Sequence, residues 1–221
     1  MALWWRIIIS VLMGDCFMLL NKDISDATYS KFIQYALNTS DAFMVIVKHC
    51  DAVIFNSSEM LNNISKINID IATSPEVIEN YRKREDDSKK KFDSFQNNCL
   101  PFLMDLEPYL LKRRHNPDWP STRAIARKTD DYDINVYSFT KDTKTLLLAP
   151  NSYLNWKYPY YPEDLSIFRK GRCWAYSSSH EEYIEIFPSS ISEYDMLVDM
   201  GIDFFEPYTP TPTDQLYFEQ Y

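Results

Sequence analysis

Residues 173–187 read CWAYSSSHEEYIEIF, and this stretch does most to decide the fold class. Its two ends, residues 173–176 and 183–187, are apolar and rich in aromatic or β-branched side chains, whereas residues 177–181 between them are polar. Short apolar runs on either side of a polar turn are typical of two strands that pair with each other. The sequence therefore predicts a strand pair near the end of the chain.

Helices and strands alternate along the rest of the sequence. Residues 43–47 (FMVIV) form a continuous apolar run, which predicts a central strand, and residues 134–139 alternate in the manner of a strand. Apolar spacing or capping residues predict helices at 25–38, 92–113, 141–148 and 190–200, further strands at 52–55 and 202–205, and an aromatic loop at 155–165. Interspersed elements of both kinds indicate an α+β fold with a mixed or mostly antiparallel sheet, and an α/β fold is the alternative.

Length and composition predict one compact domain at residues 18–205. A chain of 221 residues, 45% of them hydrophobic, can bury a sizeable core. Residues 56–91 are polar and rich in Asn, Ser and Lys, which is typical of a solvated insertion. Residues 206–221 contain several prolines, and we expect them to form a loose C-terminal tail.

The first 17 residues are apolar but interrupted by Arg6 and Asp15. A membrane span needs roughly 20 predominantly apolar residues, and an export signal needs a positive N-terminal region, so neither pattern fits. We interpret residues 1–17 as a leader upstream of a true start at Met18, or as an apolar segment outside the core. We expect neither membrane association nor export, and we expect a cytoplasmic location.

Glycine and cysteine usage argues against several classes of function. Only three glycines are present, and none forms a phosphate-binding loop or a dinucleotide fingerprint. The four cysteines are scattered and form no CxxC pair, which argues against a disulfide framework or a zinc ribbon. We therefore expect reduced thiols and predict no cofactor and no metal.

Charge is distributed unevenly along the chain, whose net charge is -9. No Lys or Arg follows Arg172, yet residues 173–221 contain ten carboxylates, whereas residues 112–128 contain six basic residues and one acid. The acidic segment is either a docking face for a basic protein or the internal partner of the basic stretch. The net negative charge argues against nucleic acid as the main partner.

The best candidates for catalysis are Cys173 and His180. A cysteine nucleophile needs a nearby imidazole to form the thiolate and a carboxylate to orient that imidazole, and Glu181 or Asp164 could supply the carboxylate. A buried thiol and an exposed turn histidine is the other interpretation of the same residues. His180 with Glu181 and Glu182 is also a weak metal-binding pattern.

Aromatic and acidic residues supply the candidate binding surface. The aromatic side chains could line a shared pocket, or they could be core packing in a domain poor in glycine. The candidate binding residues are the aromatic Trp119, Trp156 and Tyr160, together with the acidic Glu181, Glu182, Glu185, Asp195 and Asp199.

Four segments resemble a family of small Firmicutes proteins that carry the label "stage III sporulation protein AH". They read DISDATYSKFIQYAL, LEPYLLKRRHNPDWPST, YPYYPEDLSIFRKGRCW and SSSHEEY, and the resemblance covers residues 23–47 and 106–205. Ser121 stands where the family motif NPxWPGT has glycine, and residues 56–91 look like an insertion. The resemblance implies a cytosolic bacterial protein and transfers no catalytic residue.

Together these features favour a non-enzymatic cytosolic binding protein, of the kind that immunity proteins and antitoxins represent. Its acidic C-terminal part would dock a basic protein partner. The alternative is a small enzyme with Cys173 and His180 in its active site.

Overall fold

The structure is a computed structural model, and it describes residues 18–48, 75–115, 132–205 and 207. The described residues form seven β-strands and five α-helices. The strands are β1 (Met18–Leu19), β2 (Ala42–Lys48), β3 (Leu110–His115), β4 (Tyr132–Ser138), β5 (Glu163–Arg169), β6 (Arg172–Ser178) and β7 (Tyr183–Ile186). The α-helices are α1 (Asp26–Thr39), α2 (Pro75–Ser94), α3 (Leu100–Leu106), α4 (Lys141–Leu148) and α5 (Ile191–Asp199). A π-helix (Phe95–Cys99) joins α2 to α3, and a 3-10 turn (Glu107–Tyr109) precedes β3.

All seven strands belong to one sheet, in the order β1-β7-β6-β5-β2-β4-β3. Every pair of neighbouring strands is antiparallel. The predicted α+β fold is confirmed, and of the two sheet types expected, the sheet is antiparallel. β2 lies between β5 and β4 and is buried from Ala42 to Ile46, as expected for a central strand.

The two faces of the sheet are buried in different hydrophobic clusters. Phe43 and Val45 of β2 belong to a cluster that also includes apolar residues of α1, α4 and α5, so these helices pack on one face. Met44 and Ile46, which point the opposite way in the pleat, belong to the second cluster. The second cluster, as far as the structure describes it, consists of strand residues and their immediate neighbours.

Several predicted elements are confirmed with nearly the expected bounds: α1, β2, β4, α4, α5 and the β6–β7 pair. Gly201 ends α5 with φ +103°, a backbone conformation that glycine adopts without strain. The predicted strand at 202–205 makes only a single bridge, from Phe204 to Leu20.

Two elements differ from the prediction. The predicted helix at 92–113 ends at Leu106, because Pro108 lacks an amide hydrogen and disfavours helical geometry in the residue before it. The residues that follow form β3, where Arg113 pairs with Asn135 of β4. β5 begins in the last three residues of the predicted aromatic loop and continues beyond it to Arg169.

The predicted insertion at 56–91 is described only from residue 75 onward, and this part is the helix α2. Its described side chains between residues 79 and 91 are exposed, apart from the half-buried Ser88. The predicted leader at 1–17, the strand at 52–55 and nearly all of the tail at 206–221 lie outside the described residues. Among the helices described here, none is long and apolar enough to cross a membrane.

Candidate functional site

The carboxylates of the acidic C-terminal segment fall into two groups in the structure. The first group, Glu185, Glu193 and Asp203, has partners within the fold. Glu185 and Glu193 are buried, at 5% and 7% exposure. The second group, which includes Asp195 and Asp199, points outward from α5.

Glu193 anchors the start of α5. One of its carboxylate oxygens accepts hydrogen bonds from the amide and the hydroxyl of Ser189, both at 2.6 Å. The other oxygen accepts a hydrogen bond from the Tyr35 hydroxyl at 2.8 Å and pairs with the Arg169 guanidinium. Burial alone would raise the pKa of Glu193, but the bonds from Ser189 and Arg169 outweigh it and lower the pKa.

The cation that pairs with Glu193 is itself held by aromatic rings. The guanidinium carbon of Arg169 lies 3.6 Å from the centroid of the Trp174 ring and 5.2 Å from that of Tyr35. Trp174 is 3% exposed, and its ring also stacks on that of Phe32, with 5.2 Å between the ring centroids. This cluster ties α5 to α1, β5 and β6, so these carboxylate contacts belong to the core of the fold.

Glu185 and Asp203 also have structural partners. The Tyr176 hydroxyl donates a hydrogen bond to the buried Glu185 carboxylate. Asp203 accepts a hydrogen bond from Asn21 at 3.1 Å and lies 3.4 Å from the Lys22 amine, and these contacts lower the pKa of Asp203. Glu185 was predicted to bind a partner, but the structure places it inside the protein.

Asp195 and Asp199 are different, because they lie on the solvent side of α5. In the part of the chain that the structure describes, neither carboxylate forms a hydrogen bond or an ion pair. Ile191 and Val198 share this side of the helix and are 53% and 43% exposed, and Phe205 beyond the helix is 56% exposed. The outer face of α5, defined by Ile191, Asp195, Val198 and Asp199, therefore combines unpaired negative charge with exposed apolar surface.

Among the described residues, the structure shows no contact through which the acids of this outer face would stabilise the fold. Like charges four residues apart on a helix destabilise it by about 0.2–0.5 kcal/mol. Asp199 is also the last residue of α5, where the negative end of the helix dipole disfavours an acid by about 0.3–1 kcal/mol. Local preferences that are violated without compensation are expected at functional surfaces.

The exposed Glu181 and Glu182 lie in the β6–β7 turn, beside His180. The Nε2 atom of His180 is 2.9 Å from an oxygen of the buried Glu163, and the imidazole side chain is 57% exposed. A carboxylate at Nε2 favours the tautomer that carries the proton there, which leaves Nδ1 as an acceptor. Glu163, rather than the predicted Glu181 or Asp164, orients this histidine.

Cys173 and His180 are not brought together. Cys173 is 1% exposed, and its thiol donates a weak hydrogen bond to the carbonyl of Ala175. Burial raises the pKa of this thiol well above its ordinary range, and the nearby Glu185 carboxylate adds to the effect. Cys173 and Ser178 are five residues apart in β6, which separates the thiol from the turn by about 16 Å.

The aromatic candidates that the structure describes, Trp156 and Tyr160, differ in burial. Trp156 is fully buried, and its indole nitrogen donates a hydrogen bond to the Tyr29 hydroxyl at 2.9 Å. Tyr160 is 57% exposed, and Trp119 lies outside the described residues. Trp156 and Trp174 are therefore core residues, in agreement with the packing interpretation of these two indoles.

The described part of the basic stretch, in β3, lies far from β7 in the sheet. β3 contains Lys112, Arg113 and Arg114 and forms one edge of the sheet, whereas β7 lies five strand positions away, a distance of about 24 Å. Arg113 instead donates hydrogen bonds to Glu107 at 2.7 Å and to Asn135 at 3.0 Å. The other basic residues of the stretch, Arg123, Arg127 and Lys128, lie outside the described residues.

Few local sequence patterns indicate the contacts around Glu193. Ser190 followed three residues later by Glu193 is the spacing of a capping box, and the Ser190 hydroxyl does accept a hydrogen bond from the Glu193 amide. No local pattern indicates that Arg169, which is 24 residues earlier, would supply the cation, or that Glu163 would meet His180. The first contact depends on how α5 packs against β5, and the second depends on how β5 pairs with β6.

Neither protein-family models, curated proteins nor solved structures match this chain. The resemblance to the sporulation-labelled family thus stays a prediction. The class that the fold defines is an antiparallel α+β protein. Within the described residues, no group of three or more His, Cys, Asp or Glu side chains is arranged to hold a metal ion.

Proposed function

We propose that this protein is a non-enzymatic binding protein of the bacterial cytosol, which docks a basic protein partner in the manner of an immunity protein or an antitoxin. The proposal rests chiefly on one observation: Asp195 and Asp199 are exposed and unpaired beside the exposed Ile191 and Val198. We take the outer face of α5 to be the docking surface.

The chemistry of this face suits a basic partner. The two carboxylates, in a chain of net charge -9, would attract a cationic surface from a distance and raise the rate of encounter. The aliphatic side chains of Ile191 and Val198 would then be buried at contact, which contributes about 25 cal/mol for each Å² of apolar surface removed from water.

The inward contacts support the same role by fixing the helix. Glu193 and Arg169 hold the start of α5, and the segment after the helix is bound to the end of β1 by the Phe204–Leu20 bridge and by a hydrogen bond from the Phe205 amide to the Leu19 carbonyl. A surface held in one conformation before binding loses less conformational entropy when the partner docks. The free protein would therefore present α5 in its binding-competent position.

Affinity capture from cells of the source organism, with three forms of the protein as bait, tests the proposal. The forms are the wild type, an Asp195→Asn/Asp199→Asn variant, and an Asp86→Asn/Asp87→Asn control with the same charge change on the exposed α2. We expect a basic protein that the wild type and the control retain and that the α5 variant loses. With the purified partner, the association rate should fall with added salt, because the Debye length shrinks from about 10 Å at 0.1 M to about 3 Å at 1 M.

Two results would contradict the proposal. One is that all three forms retain the same proteins equally. The other is that the retained partner binds with a rate independent of salt, which would mean that the acidic face has no part in the encounter.

Thiol alkylation distinguishes this proposal from the enzyme alternative. A catalytic Cys173 would form a thiolate and react with iodoacetamide well below pH 8 in the folded protein. We expect Cys173 to stay unmodified until the protein unfolds, because the thiol is buried and its pKa is raised. Rapid alkylation of the native protein at Cys173 would support the enzyme instead.

A further inference from the structure

We infer that the partner presents an amphipathic α-helix to the outer face of α5, with its basic residues along one flank of that helix. This inference rests on the proposed function, because it uses the same surface and specifies what docks there. The arrangement of four side chains around the axis of α5 carries it.

The exposed apolar residues form a line along α5. Successive residues of an α-helix are rotated by about 100°, so Ile191 and Val198 lie within about 20° of each other around the axis. They are about 10 Å apart along the axis, which is the length of one heptad. An apolar line with this spacing matches the apolar stripe of a second helix packed alongside.

The acidic residues lie on one side of that line only. Asp195 and Asp199 are rotated by about 40° and about 80° from Ile191, in the same direction. Tyr194 occupies the opposite side, and its ring packs 4.8 Å from that of Phe204. A partner helix would therefore need its Lys or Arg residues on the flank that faces Asp195 and Asp199, and none on the other flank.

A helix fits this surface better than an extended peptide does. Strand addition requires free backbone amides and carbonyls at a sheet edge, and the backbone groups in the middle of α5 are already used within the helix. Polyproline segments dock in grooves lined by aromatic rings, whereas Ile191 and Val198 are aliphatic. Of these modes of peptide recognition, packing of two helices through their side chains is the one that uses an apolar line with a charged border.

A second copy of this chain is the other occupant to consider. Two copies of α5 packed against each other would bring Asp195 and Asp199 near their own counterparts, and like charges at an interface oppose association. We therefore assign the surface to a basic helix, and the oligomeric state becomes an outcome of the test.

Two synthetic peptides of identical composition test the inference. The first is a three-heptad peptide with Leu at a and d and Lys at e, and the second contains the same residues in an order that leaves no apolar stripe along a helix. We expect the heptad peptide to bind the wild type at least about tenfold more tightly in calorimetry and to gain helical circular dichroism on binding. The Asp195→Asn/Asp199→Asn variant should lose about tenfold in affinity, and the Asp86→Asn/Asp87→Asn control should not.

The outcomes separate this inference from the proposed function. If both peptides bind equally, the inference of a helical partner is wrong. The same conclusion follows if the heptad peptide does not bind while the captured partner still depends on Asp195 and Asp199. In both cases the outer face of α5 remains the proposed docking surface. If the captured partner is indifferent to those two residues, the proposed function itself fails. Dimerisation in sedimentation experiments that the α5 variant strengthens would assign the face to a second copy and overturn the inference.

Discussion

The two sides of α5 carry acids of the same charge in different environments. Glu193 on the inner side has hydrogen bonds from Ser189 and Tyr35 and an ion pair with Arg169. Asp195, two residues later, is exposed and has no partner in the described structure. The acids of this segment therefore lie in two different environments, and we expect substitutions in each environment to have different effects.

The two groups of acids separate the residues that stabilise the fold from those proposed to bind a partner. Removing an acid that has buried partners leaves a cation or a hydroxyl unsatisfied, which is costly. Removing an acid that faces solvent beside another acid relieves repulsion. Substitutions on the inner side should therefore be seen in unfolding experiments, and those on the outer side in binding experiments.

The largest effect should come from Trp174→Ala, which removes the ring under Arg169. The indole is 3% exposed and stacks on Phe32, so its truncation should lower the free energy of unfolding by about 3–5 kcal/mol. Urea titration followed by far-UV circular dichroism measures the loss. A change below about 1 kcal/mol would mean that this side of the cluster does not hold the fold together.

Glu193→Gln should have the next largest effect, because it leaves the Arg169 charge without its carboxylate. Arg169 is largely buried, with a side chain 17% exposed, and breaking such a pair costs about 3 kcal/mol. Asp195→Asn on the same helix is the matched control, and it should change the free energy of unfolding by less than about 0.5 kcal/mol. Equal losses from the two substitutions would remove the distinction between the inner and outer sides.

The pH dependence of the free energy of unfolding should reveal the same distinction between the inner and outer acids. The pKa of Glu193 is lower in the folded state, so its stabilisation is complete above the unfolded pKa of about 4.3 and is lost as the pH falls through the folded value. Between about pH 5 and about pH 3, the wild type should lose more stability than Glu193→Gln does. Asp203, whose pKa is also lowered, contributes in both proteins and cancels in the difference. Parallel pH profiles would show that Glu193 is not held in its charged form.

The regular elements were predictable from sequence where one local pattern dominates. The apolar run of β2, the apolar ends of the β6–β7 pair and the helix stop at Gly201 all appear in the structure. β5 was not predicted, since it begins with the carboxylates Glu163 and Asp164, which look like loop residues. In the structure both are buried, and Asp164 has φ +55° and accepts a hydrogen bond from the Ser179 amide.

The candidate site was predictable only in outline. The absence of Lys and Arg after Arg172 indicates an acidic segment, but it does not show which acids are buried. Glu185 and Asp195 looked equivalent in sequence, and pairing of β7 with β6 places Glu185 opposite Tyr176, inside the protein. That difference arises from contacts between distant segments, which local patterns do not record.

A smaller effect is expected from removing most of α2, whose described side chains between residues 79 and 90 are exposed apart from the half-buried Ser88. Replacing residues 58–90 with a short Gly/Ser linker should leave the melting temperature within a few degrees, because the described side chains of α2 in this range are solvated. Differential scanning calorimetry of the shortened protein gives the comparison. An unfolded product would show that this segment supports the core after all.

The most direct test of the outer face is one variant measured in two ways. Asp195→Asn/Asp199→Asn should leave the free energy of unfolding unchanged or raise it by up to about 1 kcal/mol, because repulsion and the helix-dipole penalty are relieved. The same variant should associate more slowly with the purified partner and depend less on salt, whereas Asp86→Asn/Asp87→Asn should match the wild type. Loss of stability together with unchanged association kinetics would contradict the account, since these two acids would then serve the fold rather than the partner.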